Sequence, residues 1–216
     1  MSENYKNSYK ATDKELVYLS VYNVGCQRCD PGYQWGPGIR DHYLIHYIIS
    51  GTGILMANDS HGVTQTYHVK SGQGFMIFPG QINTYISDEK LPWEYTWIEF
   101  DGLRAKETIE LSGLSLDNPI YKATSKDLRE ILKEELLYIA SHGDATPFHL
   151  IGHLYLAIDA LIRSTATMQT SKISRLQDFY IHEALSYIEQ MFHFRFLHLA
   201  AQDAEDDHYD QRNEDP

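Results

Sequence analysis

Residues 74–85, GFMIFPGQINTY, contain the strand–turn–strand pattern that decides the fold of this chain. They begin as an apolar run, turn at Pro79-Gly80, and continue through polar Gln81 and Asn83 to Tyr85. A short apolar run that ends at a Pro-Gly pair is typical of a buried strand followed by a tight turn. The segment therefore predicts two strands, the second of which begins with an amide side chain.

Similar segments surround this one between residues 16 and 101. They are rich in β-branched and aromatic residues and are bounded by glycine-containing turns, which is the pattern of short strands. Gly51-Thr52-Gly53 predicts a hairpin-like turn between two of them. Because no helical pattern interrupts the series, we expect a small antiparallel barrel or jelly roll. The flanking segments are ELVYLSVYNVG, YLIHYIIS, GILMAN, TQTYHVKSG and PWEYTWIEFDG.

Helical periodicity begins after residue 123. The first helix is predicted over residues 124–143, where Thr124 and Asp127 have a spacing like that of a capping box and Gly143 ends the pattern. The next helix has Thr146 as N-cap and Pro147 at its first position.

The apolar surface of that next helix is unusually broad. Its central stripe is widened on both sides by Ile151, Tyr155 and Ile162. Such breadth suits a helix that packs on the strands and on a partner subunit at once, or a helix that is fully buried in one chain. The stripe consists of the residues that we expect to mediate dimerisation: Leu150, Leu154, Ile158 and Leu161.

A third helix is predicted from Ser174, with Gln177 completing a capping box, and it extends to residue 192. The chain then becomes polar, and residues 202–216 contain seven acidic residues and one arginine. We expect residues 193–216 to form an acidic, disordered tail. The formal net charge is −12, so this chain is not expected to bind DNA well by itself.

Composition narrows the compartment and the kind of site. No signal peptide and no membrane-spanning run is apparent, which predicts a cytoplasmic protein. Cys26 and Cys29 are too few for structural zinc and are expected to be reduced thiols near the barrel mouth. The 16 tyrosines suit a polar ligand pocket or an interface, and equally suit strand packing.

The segments GPGIRDHYLIHYIISGTG and GFMIFPGQINTYISDEKLPWEYTWIEFDG resemble the N-terminal half of AraC-family transcription regulators. The resemblance covers roughly residues 18–190 and is greatest to regulators of sugar-utilisation operons. It implies a cupin-like barrel that binds a sugar effector and a helical pair that forms a homodimer. It also implies a separate C-terminal domain with two helix-turn-helix motifs that binds DNA.

The resemblance divides the chain into four parts. We expect a flexible N-terminal arm over residues 1–15, a cupin-like barrel over 16–112, and helices for dimerisation and the start of the DNA-binding linker over 113–192. The acidic tail follows. The DNA-reading domain is expected to be missing, as in a truncated or frame-shifted regulator, and a degraded gene product that no longer signals remains an alternative.

A metal site is not expected. Metallo-cupins need several converging imidazoles, whereas His42 and His46 are four residues apart, which on a strand separates them by about 13 Å. Asn83 occupies the position where metallo-cupins usually have a histidine. We therefore predict no cofactor and no enzymatic activity. The alternative is a cupin-fold metal enzyme that acts on a sugar or a small acid.

The strand WEYTWIEF supplies the candidate sugar platform. Alternation places Trp93, Tyr95, Trp97 and Glu99 on one side, with Thr96, Ile98 and Phe100 on the other. Aromatic rings can stack on the apolar face of a pyranose, although they can equally fill the core. The resemblance implies sugar contacts at Tyr85, Tyr95 and Trp97. The further predicted ligand-binding residues are Trp35, Arg40, His46, Asn83 and Trp93.

Overall fold

A computed structural model describes residues 4–10 and 18–164. The strands in these ranges are β1 (Tyr5–Lys10), β2 (Ser20–Arg28), β3 (Gln34–Gly38), β4 (Tyr43–Ser50), β5 (Thr52–Asn58), β6 (Thr64–Lys70), β7 (Gln73–Ile77), β8 (Asn83–Ser87), β9 (Glu94–Asp101) and β10 (Ile120–Lys122). The helices are α1 (Ala105–Ser112), α2 (Lys126–Ser141) and α3 (Pro147–Ser164).

The described strands form two antiparallel sheets. One has six strands in the order β1-β2-β9-β4-β7-β10, and the other has four in the order β3-β8-β5-β6. The predicted class, mainly β plus α with a cupin-like jelly roll, is confirmed, although the two sheets are not closed into one barrel. The strand that begins at Asn83 is β8, as the Pro79-Gly80 turn predicts.

The six-stranded sheet separates two hydrophobic layers. From β9, Ile98 and Phe100 pack against the helices, whereas Tyr95 and Trp97 belong to the layer between the two sheets. This is the alternation expected of a strand with one side chain on each face in turn. A single strand therefore contacts both the helices and the interior of the jelly roll.

The predicted hairpin at Gly51 is wrong. Strands β4 and β5 belong to different sheets: β4 pairs with β7 and β9, whereas β5 pairs with β6 and β8. Gly51 has φ 76°, and a Cβ atom there would lie 2.3 Å from the carbonyl oxygen of Pro92. Because β4 lies in the middle of its sheet and has partners on both sides, the chain must cross to the other sheet at this glycine.

The helix starts follow local capping chemistry. α3 begins at Pro147 as predicted, and the carbonyl oxygen of Thr146 accepts a hydrogen bond from the backbone N–H of Leu150 at 3.1 Å. The N-cap of α2 is Ser125 and not Thr124, since the Ser125 hydroxyl accepts from the backbone N–H of Leu128 at 3.2 Å.

The central stripe of α3 lies in the interior of the single chain. Leu150, Leu154, Ile158 and Leu161 are each no more than 2% exposed, so they form part of the core against the strands and α2. This corrects the expectation that these four residues are available to a partner subunit. The large apolar residues that α3 leaves exposed are instead Phe148, Tyr155 and Leu156.

The domain boundaries also differ from those expected. Residues 5–10 of the predicted flexible arm form β1, which pairs with β2, and the Tyr9 hydroxyl donates a hydrogen bond to the Ile139 carbonyl oxygen. α1 precedes residue 113, and β10 follows it. The predicted helix from Ser174 and the tail over 193–216 lie outside the described residues. None of the described helices is long and apolar enough to span a membrane.

Candidate functional site

An aromatic cluster lies between the two sheets, with His46 at its centre. The His46 ring stacks on Phe75 at a centroid distance of 4.5 Å and lies 4.8 Å from Tyr85 and 4.9 Å from Tyr95. Trp97 is 6.4 Å away on the neighbouring strand. All five side chains are buried, the most exposed at 7%. These five residues are called the aromatic cluster below.

Several buried polar atoms in and around this cluster are unpaired. Within the described residues, His46 Nδ1 and Asn83 Oδ1 have no hydrogen-bond partner, and neither do Trp93 Nε1 and Arg40 Nε. The Asn83 amide group donates to the carbonyl oxygens of Gln81, at 3.0 Å, and Gly38, at 3.4 Å, which leaves its oxygen as an acceptor. Unpaired buried polar atoms are costly, so His46 Nδ1 and Asn83 Oδ1 are suited to bind hydroxyl groups of a ligand.

One end of the jelly roll carries a group of partly exposed polar and aromatic residues, here called the mouth. It consists of Trp35, Arg40, His42 and Glu99. The Arg40 guanidinium lies 4.5 Å above the Trp35 ring, and Arg40 Nη1 is 3.6 Å from Glu99 Oε2. His42 Nδ1 is 3.2 Å from Glu99 Oε1. Trp35 also stacks on Tyr85 at 5.2 Å, which joins the mouth to the aromatic cluster.

The turn before β8 holds these groups in place. The backbone N–H of Gly80 donates to the carbonyl oxygen of Arg40 at 2.8 Å. The Gln81 side chain donates to the carbonyl oxygen of Asn58 at 2.7 Å, which ties the turn to β5. Gln81 therefore has a structural role, and it positions the chain so that Asn83 enters the interior.

The structure brings together all eight predicted ligand-binding residues, seven around the mouth and the near part of the aromatic cluster and one, Trp93, at its far side. Tyr85, Tyr95, Trp97 and His46 lie in the aromatic cluster, Asn83 lies beside them, and Trp35 and Arg40 lie at the mouth. Trp93 packs against the aromatic cluster at its far side, with ring centroids 6.1 Å from Phe75 and 5.9 Å from Tyr95. It lies just before β9, six residues or about 20 Å of extended chain from Glu99, and it is fully buried. A Cβ atom on Gly53 would meet its ring at 2.4 Å.

Three residues near the site were not predicted from the sequence. Gln27 on β2 accepts a hydrogen bond from the Tyr95 hydroxyl at 3.2 Å, and Lys6 Nζ on β1 lies 5.8 Å from the Trp97 ring centroid. Glu99 anchors the mouth. Alternation places Glu99 on the same side as Trp97 but assigns it no role, whereas Lys6 and Gln27 come close only through the pairing of β1, β2 and β9.

The interior of the site is uncharged at neutral pH. Burial lowers the pKa of His46 well below its ordinary value, and the nearby positive charge of Arg40 lowers it further. Burial also raises the pKa of Tyr85 to about 12 and raises the pKa of Tyr95. The cluster therefore offers neutral donors and acceptors, which suit hydroxyl groups better than ionised groups.

Acidification is expected to destabilise the protein through His46. The folded-state pKa of His46 is lowered, so below the ordinary value of 6.5 the unfolded chain binds the proton more readily and the free energy of unfolding falls. The full single-proton slope is about 1.4 kcal/mol per pH unit. His46→Phe is expected to show a shallower decline between pH 6.5 and 5, measured by urea unfolding. Equal slopes for the two proteins would contradict this assignment.

The structure describes both the possible metal ligands and Cys29. Within residues 4–10 and 18–164, no three His, Cys, Asp or Glu side chains are arranged to hold one metal ion. Cys29 is buried, its backbone N–H donates to the Trp93 carbonyl oxygen at 3.1 Å, and burial raises the pKa of its thiol to about 11. Cys29 thus lies at the end opposite the mouth, which corrects its predicted position.

A separate cleft of about 640 Å³ lies along the four-stranded sheet, at its end away from the mouth. Ile54, His68 and Ile86 form one row across its surface, and Lys70 and Glu89 lie near its edge. None of the eight predicted ligand-binding residues lines this cleft. Its lining has no aromatic ring for stacking on a sugar other than the imidazole of His68.

Comparisons with known proteins agree with the fold and with the sequence resemblance. The family model for the AraC-like ligand binding domain matches residues 21–170. The Msm operon regulatory protein of Streptococcus mutans is 29% identical over 196 residues, covering 88% of this chain and 66% of that protein. The raffinose operon transcriptional regulatory protein of Pediococcus pentosaceus is 34% identical over 115 residues, covering 52% of this chain and 39% of that protein.

The chain thus spans less than two thirds of the length of these curated relatives. Among solved structures, oxalate decarboxylase of Bacillus subtilis is similar with a TM-score of 0.35 and 14% identity. That match covers 54% of this chain and 41% of the decarboxylase. At this level of similarity it carries no information about activity.

Proposed function

Because the chain belongs to the AraC-like ligand binding domain family, we propose that it is the effector-sensing part of a transcription regulator that controls carbohydrate-utilisation genes. Its curated relatives are regulators of the Msm and raffinose operons, which supports a regulatory role in the cytoplasm and not a catalytic one. DNA would be bound by a helix-turn-helix domain of the full-length regulator.

The proposed effector is a sugar bound between the mouth and the aromatic cluster. The observation that carries this proposal is the pair of unpaired buried atoms, His46 Nδ1 and Asn83 Oδ1, beside aromatic rings. A pyranose has an apolar C–H face for ring stacking and hydroxyl groups that hydrogen-bond to such atoms. Partly exposed Trp35 at the mouth and Trp97, the most exposed ring of the aromatic cluster at 7%, supply rings for such stacking.

Ligand binding would be communicated through β9. Its residues alternate between the two layers: Tyr95 and Trp97 face the aromatic cluster, and Ile98 and Phe100 contact the core on the helical side. A ligand that favours one arrangement of the inward side chains therefore acts on a strand that also packs against α2. Coupling of this kind is a difference in binding free energy between two states of the domain.

We further propose that the regulator acts as a homodimer that uses the outward side of α3. The exposed fractions of Phe148, Tyr155 and Leu156 are 78%, 47% and 51%. Each of these residues is three or four positions from Gly152, so they lie on the same side of α3. Exposed apolar residues that cluster on one helix are typical of a helix–helix interface.

A thermal-shift screen with neutral mono-, di- and trisaccharides tests the proposed function. A sugar at about 100 times its dissociation constant is expected to add about 2.7 kcal/mol to the free energy of unfolding. For a chain of this size, that corresponds to a rise in melting temperature of roughly 5–10 °C. The screen should include α-galactosides such as melibiose and raffinose. Asn83→Ala, which removes the unpaired acceptor, is expected to weaken the shift.

A screen in which no sugar changes the melting temperature would contradict the proposed function. If no sugar of any class changes the melting temperature, the sensor role in carbohydrate uptake is refuted for this chain. Stoichiometric Mn, Fe, Ni or Zn in protein purified without chelator, together with a flat screen, would favour a cupin-type metal enzyme instead.

A further inference from the structure

Each carboxylate oxygen of Glu99 lies close to a basic side chain at the mouth. Oε1 lies 3.2 Å from His42 Nδ1, and Oε2 lies 3.6 Å from Arg40 Nη1. The Glu99 side chain is 13% exposed, whereas those of Arg40 and His42 are 22% and 31% exposed. The carboxylate is therefore partly buried, and charge interactions there are screened less than at an open surface.

The same contacts balance the charge of Arg40. The guanidinium carbon of Arg40 lies 4.5 Å from the Trp35 ring centroid, and its Nε is buried without a hydrogen-bond partner among the described residues. One of its nitrogens is already close to Glu99. A phosphate that approached Arg40 would therefore also approach a fixed negative charge, whereas a neutral sugar would find one acceptor and several donors together.

We propose that Glu99 is a specificity-determining residue that restricts this site to neutral sugars and excludes phosphorylated ones. The inference rests on the proposed function, because it concerns the same site. Its carboxylate accepts hydrogen bonds from sugar hydroxyl groups at the mouth. Its negative charge repels a phosphate group on the ligand and offsets the positive charge of Arg40, whose Nη1 lies 3.6 Å from Glu99 Oε2.

Glu94 provides a matched control on the same strand. Its side chain has the same 13% exposure and pairs with an arginine, since Glu94 Oε2 lies 2.6 Å from Arg28 Nη2. It lies at the end of β9 away from the mouth. Glu94→Gln and Glu99→Gln therefore remove the same charge from the same strand, and only the second changes the mouth.

The experiment measures dissociation constants by isothermal titration calorimetry for wild type, Glu99→Gln and Glu94→Gln. The probes are galactose, glucose and sucrose with their 6-phosphates, and melibiose and raffinose. Wild type is expected to bind the neutral sugar that fits best at least tenfold more tightly than its phosphate. Glu99→Gln is expected to weaken neutral-sugar binding by roughly tenfold or more, since a charge-assisted hydrogen bond is lost. Glu99→Gln is also expected to reduce the difference in affinity between the neutral sugar and its phosphate.

The outcomes separate this inference from the proposed function. Equal binding of neutral and phosphorylated sugars by wild type, or equal behaviour of Glu99→Gln and Glu94→Gln, would overturn the role of Glu99 and leave the sensor function intact. Absence of carbohydrate binding in wild type would overturn both. If Glu99→Gln does not fold, Glu99→Asp serves as the test. It keeps the charge, so it is expected to bind neutral sugars more weakly while still rejecting phosphates.

Discussion

Leu154→Ala is expected to lower the free energy of unfolding by about 2–5 kcal/mol, measured by urea denaturation. Leu154 is 1% exposed within a single chain and lies in the core cluster beside Leu150 and Ile158. Removing three carbon atoms there forfeits the transfer free energy of the side chain and leaves a cavity that the rigid sheet cannot fill. The loss is expected at every protein concentration, because the contacts lie within one chain.

Leu156→Ala is the control, since it makes the same change two residues further along α3. Leu156 is 51% exposed, so its replacement is expected to change the stability of the single chain by no more than about 0.5 kcal/mol. If the outward side of α3 forms the proposed homodimer, Leu156→Ala weakens self-association in sedimentation equilibrium. If Leu154→Ala dissociates the dimer and Leu156→Ala does not, the dimer contact would instead involve the stripe that contains Leu150, Leu154 and Ile158.

Trp93→Ala is expected to lower the free energy of unfolding by about 3–5 kcal/mol. Any effect of this change on sugar binding is expected to follow from that loss of stability. Trp93 is fully buried, and its ring lies 6.1 Å from Phe75 and 5.9 Å from Tyr95 by centroid distance. Its ring also occupies the space that a side chain on Gly53 would need. Trp93 therefore packs against the side of the aromatic cluster that lies away from the mouth.

Trp35→Ala is the matching change at the mouth. Trp35 is only partly buried, and it stacks on Tyr85 and beneath Arg40. We expect a smaller loss in the free energy of unfolding than for Trp93→Ala and a larger loss of sugar affinity, measured by calorimetry at a temperature where both variants are folded. Trp93 would be assigned to the binding site instead if its replacement abolished sugar binding with little change in melting temperature.

The inward side of β9 combines residues that stabilise the fold with residues of the proposed binding site. The inward residues progress from Trp93, just before β9, through Tyr95 and Trp97 in the aromatic cluster, to Glu99 at the mouth. The alternation of the strand places all four on one face. Burial decreases along this series toward the mouth. The residues nearest the mouth are therefore the most accessible to the proposed ligand.

Local patterns in the sequence were sufficient to determine the class of the fold. The alternation in β9, the Pro79-Gly80 turn before β8 and the start of α3 at Pro147 each depend on residues adjacent in the chain. Periodicity, turn chemistry and capping act over a few residues, so they can be recognised without knowing which strands pair. The same local motifs carried the resemblance to the AraC family.

The tertiary structure alone decided what depends on distant partners. Gly51 moves the chain between sheets because β4 is paired on both sides, and Leu154 is a core residue because the sheet and α2 cover it. Lys6 and Gln27 reach the site through the pairing of β1, β2 and β9. Hydrophobic periodicity shows that a face is apolar, but which surface covers that face is set by contacts between residues far apart in the sequence.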